Sequence, residues 1–217
     1  MKTILFILLS VSLCATESSN PKKEYFNNVN QAIPSITFEM RYFGVHNFVG
    51  KTIDTYEAPI CFLTHETVHA LTKVQKSLQT KGMTLRIFDC YRPQRAVEHF
   101  VRWAKALDDT KMKARFYPHV KKRNLFRDGY IAAKSGHSRG STLDLSIDGL
   151  DMGTPFDYFD PRSRTNAKTV SKKQHANRMM LKKLMEENGF KNYAAEWWHY
   201  TLKDEPFKER YFDFVVK

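Results

Sequence analysis

Apolar positions along this chain recur with two periods, and the alternation between them lays out a sequence of helices and strands. Val68, Leu71, Val74 and Leu78, with Gln75 among them, fall at helical spacing and define an amphipathic helix starting near Thr64. Lys81-Gly82 turns that helix into a short strand, Leu85 to Phe88, and Pro93 then opens a second helix whose Ala96, Val97, Phe100, Val101 and Ala104 repeat at the same spacing. A third helix is expected from about Val170 to Asn188, apolar at Met180, Leu181, Leu184 and Met185 and capped by Gly189.

Between the second and third helices the period changes to two. From Thr142 to Ile147, Leu143, Leu145 and Ile147 would share one face of a strand, and Thr142, Asp144 and Ser146 the other. Phe38 to Phe43 reads as an earlier strand, and the last strands would carry Tyr193 and then Trp198 to Leu202. Asp108 to Lys134 follows neither period and is expected to build part of a cleft wall. Helices followed by antiparallel strands point to an α+β fold, a small mostly antiparallel sheet with helices packed on one side. Trp197 and Trp198 read as core or cleft wall rather than as stacking platforms for sugars.

The chain of 217 residues is 42% hydrophobic and 13% aromatic, enough for one good core, and no Pro/Gly/Ser-rich linker divides it. The first residues stand apart. Lys2, an apolar run from Ile4 to Leu13 and small residues through Ala15 have the make-up of a secretory signal peptide, with cleavage near Ala15. This leaves a single domain over 16–217 in the periplasm or outside the cell. The run is too short to span a membrane. Cys14 raises lipid anchoring as an alternative, against which stands the large Leu13 before it.

Removal of that segment would leave Cys61 and Cys90 in an oxidising compartment. They either pair, closing a loop of about thirty residues worth roughly 3 to 4 kcal/mol in the chain-entropy model, or remain two buried thiols. The net charge of +12 is concentrated at Lys111 to Arg115, Lys121 to Arg123 and Lys168 to Lys173. A solvated basic face is the preferred reading over a polyanion site. No helix-turn-helix, RNP-like or zinc-finger spacing is present, which excludes nucleic acid as the expected partner.

Two short stretches carry the chemistry. Ser135-Gly136-His137-Ser138-Arg139-Gly140-Ser141-Thr142-Leu143-Asp144 and Glu196-Trp197-Trp198-His199 supply His137, Asp144 and His199 as three N/O ligands for one Zn²⁺, the number a catalytic zinc takes while leaving a fourth position to water. Glu196 is then a spare carboxylate for proton transfer. Residues three apart on a regular strand face opposite ways, so Glu196 is expected in a loop or bulge entering the strand of His199. A competing motif, His65-Glu66-Thr67-Val68-His69, fits the helical H-E-x-x-H signature. No downstream third ligand stands out, and His65 and His69 are expected at the surface or its boundary.

Together with Asp89-Cys90-Tyr91-Arg92-Pro93, these stretches resemble the D-alanyl-D-alanine dipeptidase family of zinc peptidases, whose pattern is Ser-x-His-x-x-Gly-x-Ala-x-Asp followed by Glu-x-Trp-His. The resemblance extends over most of the chain after about residue 35, including Tyr42 through Tyr56, Met152-Gly153 and Phe156-Asp157. Thr142 departs from the family's usual Ala without removing a ligand. The resemblance implies a Hedgehog/DD-peptidase-like fold and one zinc ion per chain on His137, Asp144 and His199. Glu196 would be the general base and acid and Arg92 the stabiliser of the tetrahedral oxyanion. Asp157 and Tyr56 would lie near the substrate's ammonium group, and Ser135 would touch the substrate.

The implied partner is the small peptide D-Ala-D-Ala; an alternative is a D,D- or L,D-carboxypeptidase acting on peptidoglycan stem peptides. A catalytically silent zinc fold would lack the base or carry a fourth protein ligand, and Glu196 and Arg92 are both present. Nothing in the spacing sets an oligomeric state.

Overall fold

The computed structural model describes residues 21–217. The signal peptide expected over 1–15, its cleavage near Ala15 and the alternative role of Cys14 lie outside the described residues. In chain order the elements are α1 (Pro21–Tyr25), β1 (Phe26–Asn28), α2 (Val29–Ala32), β2 (Thr37–Phe38), β3 (Phe62–Thr64), α3 (His65–Gln79), β4 (Leu85–Asp89), α4 (Gln94–Lys105), α5 (Lys113–Phe116), β5 (Thr142–Ile147), α6 (Lys172–Glu187), β6 (Phe190–Asn192) and β7 (His199–Leu202). The main sheet has the order β2-β4-β5-β7-β6. Only β2–β4 is parallel. β1 and β3 form a separate antiparallel pair. This is an α+β fold with a mostly antiparallel sheet.

Each long helix forms for a local reason. α3 buries Val68, Leu71, Val74 and Leu78 in one stripe, and Gln75 in the same stripe accepts from the Leu85 N–H at 3.0 Å while donating to Thr84 Oγ1 at 2.8 Å, which docks the helix on the start of β4. Pro93 precedes α4, which buries Ala96, Val97, Phe100, Trp103 and Ala104. Ser171 and Gln174 make a capping box on α6, and Gly189, with φ +89°, follows its end.

The central strand β5 is buried on both faces. Its register sets Leu145 against Ile87 and Ile147 against Leu85 on the core side, while on the other side Asp144 faces His199 and Thr142 faces Thr201. An apolar layer therefore backs a polar one.

Three local expectations are corrected. Of the segment from Phe38 to Phe43 only Phe38 is strand, as the end of β2; the Asn47 amide donates to the carbonyls of Arg41, Gly44 and Lys51 and gathers the chain into a loop instead. Tyr193 stands just beyond β6, and the strand after it begins at His199 rather than Trp198. The basic runs are not wholly a solvated face. Lys113 Nζ donates to the Tyr117, Pro118 and Val120 carbonyls, and Lys122 Nζ to those of Ala106 and Asp109, so both ammoniums satisfy the backbone of an irregular segment. Trp197 and Trp198 are each 2% exposed, as core and cleft wall require.

Candidate metal centre and catalytic cleft

The site is assembled from a turn, a strand and a hairpin. A 3-10 turn over Gly136–Arg139 presents His137; Ser135 precedes it and its hydroxyl accepts from the His137 N–H at 3.3 Å. Gly140 ends the turn with φ +83°, and a Cβ there would stand 2.2 Å from the Phe26 ring, so both backbone angle and close approach require glycine. Two residues later β5 begins, and its polar face carries Asp144 opposite His199 of β7.

Three candidate ligands thereby converge. His137 Nε2 lies 3.3 Å from Asp144 Oδ2 and 3.3 Å from His199 Nδ1, and His199 Nδ1 lies 3.0 Å from Asp144 Oδ1. A tetrahedral ion with bonds of about 2.0–2.2 Å has ligand-to-ligand edges of about 3.3–3.6 Å, close to these separations. Asp144 Oδ1 is fully buried, and its polar neighbour, His199 Nδ1 at 3.0 Å, does not meet it in hydrogen-bond geometry, a shortfall that a cation between them would satisfy. His137 Nδ1 donates to the Cys90 carbonyl at 2.7 Å, which leaves Nε2 unprotonated and aimed at the cluster. Among the described residues these three form the group able to hold an ion.

Glu196 sits in the β6–β7 connection, as expected from its offset to His199. Its N–H donates to the Tyr193 carbonyl and its own carbonyl accepts from the His199 N–H, a turn that brings Oε2 to 3.6 Å from His199 Nδ1. Burial raises its pKa, against the pull of His199.

Arg92 lies across the cluster. Its Nε and Nη2 are both 2.9 Å from Asp89 Oδ2, and Nη2 is 3.5 Å from Asp144 Oδ2. The guanidinium packs over the rings of Tyr42 and Phe100. Both an ion pair and a place on the cleft wall are therefore realised in one residue.

The cleft, about 270 Å³, is lined by Ser135, Asp157, Glu196 and Trp198 together with Tyr130 and Ile131 of the aperiodic segment. Asp157 is 6% exposed, adopts φ +59° and accepts from the Tyr42 hydroxyl at 2.9 Å. Burial first, and then the charge of Asp144, raises its pKa well above the carboxylate range. Tyr56, in contrast, is not among the residues lining the cleft. It stands behind Arg92, donating to Asp89 Oδ1 at 2.7 Å.

Electrostatics separates the two imidazoles. Burial lowers the His137 pKa; burial pushes His199 the same way, but the Asp144 carboxylate outweighs it and the pKa rises. For Asp144 itself, burial opposes ionisation, yet the two imidazoles hold its pKa far below the usual range.

Three participants carried no assigned role in the sequence: Asp89, the Cys90 carbonyl and Tyr42. Asp89 was within reach through its offset of three from Arg92; a backbone carbonyl leaves no signal in residue type. Cys61 and Cys90 form a disulfide. The competing motif is not assembled into a site. His65, Glu66 and His69 are exposed, and His65 Nε2 contacts the Glu24 carbonyl instead.

A family model described as D-ala-D-ala dipeptidase matches residues 22–217. A D-alanyl-D-alanine dipeptidase of Streptomyces coelicolor is 41% identical over 197 residues, covering 88% of this chain and 98% of that protein. Its counterpart in Enterococcus faecium is 38% identical over 198 residues, again 88% and 98%. One in Escherichia coli is 30% identical over 174 residues, 78% of this chain and 80% of that protein.

Proposed function

The chain belongs to the D-ala-D-ala dipeptidase family, and on that premise we propose that it is an exported zinc peptidase hydrolysing the free dipeptide D-alanyl-D-alanine in the periplasm. His137 Nε2, Asp144 and His199 Nδ1 would hold the ion. When bound there, zinc supplies a Lewis acid that polarises a carbonyl and lowers the pKa of water.

The remaining work falls to the chain's own groups. Glu196 takes a proton from the attacking water and delivers it to the leaving amine nitrogen, a carboxylate whose raised pKa suits both directions of transfer. Arg92, held by Asp89, presents a fixed guanidinium to the negative charge that develops on the former carbonyl oxygen. Tyr56 acts through Asp89 rather than on the substrate.

Asp157 receives the substrate's ammonium. A buried carboxylate hydrogen-bonded by a phenol and facing the charge of Asp144 gains from a cation, and an acylated peptide brings none. Ser135 lines the same cleft beside His137 and contacts the bound peptide. Dipeptides are thereby favoured over longer stems.

The observation that carries the reading is the convergence of His137, Asp144 and His199 within 3.0–3.3 Å beside Glu196. It is tested with purified mature protein by metal analysis and by D-alanine release from stereoisomeric dipeptides, with and without chelator. Release from D-Ala-D-Ala that stops on chelation is expected. Cleavage of a stem pentapeptide alone would overturn the substrate, and full activity in the metal-free protein would overturn the mechanism.

A further inference from the structure

The disulfide of this protein lies one hydrogen bond from its metal centre. Cys61 immediately precedes β3 and Cys90 immediately follows β4; both are completely buried, and they are joined. The carbonyl of Cys90 is the group that accepts from His137 Nδ1 at 2.7 Å. Cys61 is itself fixed from both sides, its N–H donating to Asn30 Oδ1 and its carbonyl accepting from the Val29 N–H, each at 2.9 Å. The cross-link thus ties the acceptor of a ligand histidine to a braced point of the neighbouring strand pair.

We propose that the Cys61–Cys90 disulfide is a positioning element of the metal centre, holding the Cys90 carbonyl where it keeps His137 protonated on Nδ1 and directs Nε2 to the ion. Full zinc affinity then belongs to the cross-linked chain alone. The inference rests on the reading of His137 as a zinc ligand.

The remaining bonds of the segment act alongside the cross-link. Tyr91 N–H donates to the Phe62 carbonyl at 3.0 Å and Arg92 N–H to the His137 carbonyl at 3.3 Å. The Tyr91 N–H shares its peptide plane with the Cys90 oxygen, so its bond to the carbonyl of Phe62, the residue after Cys61, holds that plane at one end while the cross-link holds it at the other. An outer partner of a metal-bound histidine is commonly worth about 10–100-fold in metal affinity, because it sets both tautomer and ring orientation. Loosening the acceptor should forfeit part of that range.

The test compares zinc affinity, by chelator competition, in wild type, Cys61→Ala/Cys90→Ala and a control, Leu78→Ala. The control removes core packing in α3 without touching the disulfide or His137. The double variant is expected to bind zinc about 10-fold or more weakly, with Leu78→Ala within twofold of wild type. An unchanged affinity in the double variant, or an equal loss in Leu78→Ala, overturns the proposal.

Should the double variant not fold, nitrogen-15 spectra of wild-type His137 decide: a proton on Nδ1 with and without zinc is required, and its absence overturns the proposal. A wild-type protein that takes up no zinc removes the ligand reading itself and the inference with it.

Discussion

Asp89 stands opposite Asp144 across the β4–β5 ladder, although Ile87, two residues before it, stands opposite Leu145, one residue after Asp144. The register slips between those pairs. A regular strand would return Asp89 to the side of Ile87, in the apolar layer; the bulge turns it to the side of Asp144 and His199 instead. There its carboxylate is shared between Tyr56 and Arg92. Its buried charge has Arg92 as a direct partner, and Arg92 also reaches toward Asp144.

Removing that anchor should affect turnover before metal binding. Asp89→Ala frees the guanidinium of Arg92 from its fixed position, and loss of a preorganised oxyanion partner commonly costs about 10²–10³ in kcat. A fall of roughly tenfold to a hundredfold is expected, smaller than for outright removal of Arg92. Zinc content should stay near one ion, since His137 Nδ1 is held by the Cys90 carbonyl. Wild-type kcat in this variant would show that Arg92 needs no anchor.

Glu196→Gln should retain zinc and lose at least about two orders of magnitude in kcat, the usual contribution of a general base. The pH profile supplies an independent check. Because burial raises the Glu196 pKa, the proton it must accept is already present at pH values where an exposed glutamate, with a pKa near 4.3, would be ionised. The acid limb of kcat/KM is therefore expected above the ordinary carboxylate range. Zinc measured across the same range separates this limb from ligand protonation, which releases metal. An acid limb that persists unchanged in the residual activity of Glu196→Gln would assign it to another group.

Much of the sheet and most of the site could be read from residue order, because periodicity and a short ligand spacing are local properties. The strand of Asp144 was visible as an alternation, and the offset from Glu196 to His199 announced the irregular hairpin in which it lies. The loop after Phe38 was not, since Asn47 collects three carbonyls through one side-chain amide and no periodic signal records that. The position of Tyr56 leaves no local signal for a related reason. Its place behind Arg92 depends on the bulge at Asp89, a one-residue slip that alternation cannot reveal. Lys113 and Lys122 read as surface charge because a lysine bound to carbonyls has the same letter as a solvated one.

Among the described residues Arg178 is the largest fully buried side chain, though it lies on α6, a helix rich in charged residues. Its Nε donates to the Met152 carbonyl at 2.6 Å and its Nη1 to those of Arg162 and Arg164 at 2.8 and 2.7 Å, clasping the two ends of the loop that carries Asp157. Burial brings its pKa down to about 10. Arg178→Lys cannot reach all three carbonyls, and each charge-assisted bond lost is worth about 1.5–3 kcal/mol. A lower melting temperature is expected, with KM for the dipeptide rising more than kcat falls. If kcat and zinc content collapse while KM holds, the clasp serves the metal centre rather than the Asp157 loop.

Asp157 joins function and stability with opposite signs. Its folded pKa lies well above the value near 3.9 of an unfolded chain, chiefly through burial. Between those two values the folded state binds more protons than the unfolded one, so stability falls as pH rises through that window, and at neutral pH the folded protein carries the penalty. Asp157→Asn removes the ionisable group while leaving an oxygen to accept from the Tyr42 hydroxyl. The variant is therefore expected to melt higher than wild type at neutral pH and to lose that advantage near pH 4. Its affinity for a dipeptide with a free ammonium should drop sharply, because the compensating charge is gone. Melting curves at the two pH values and KM for the dipeptide test both halves; a variant that melts lower at neutral pH yet binds dipeptide normally would remove Asp157 from the ammonium site.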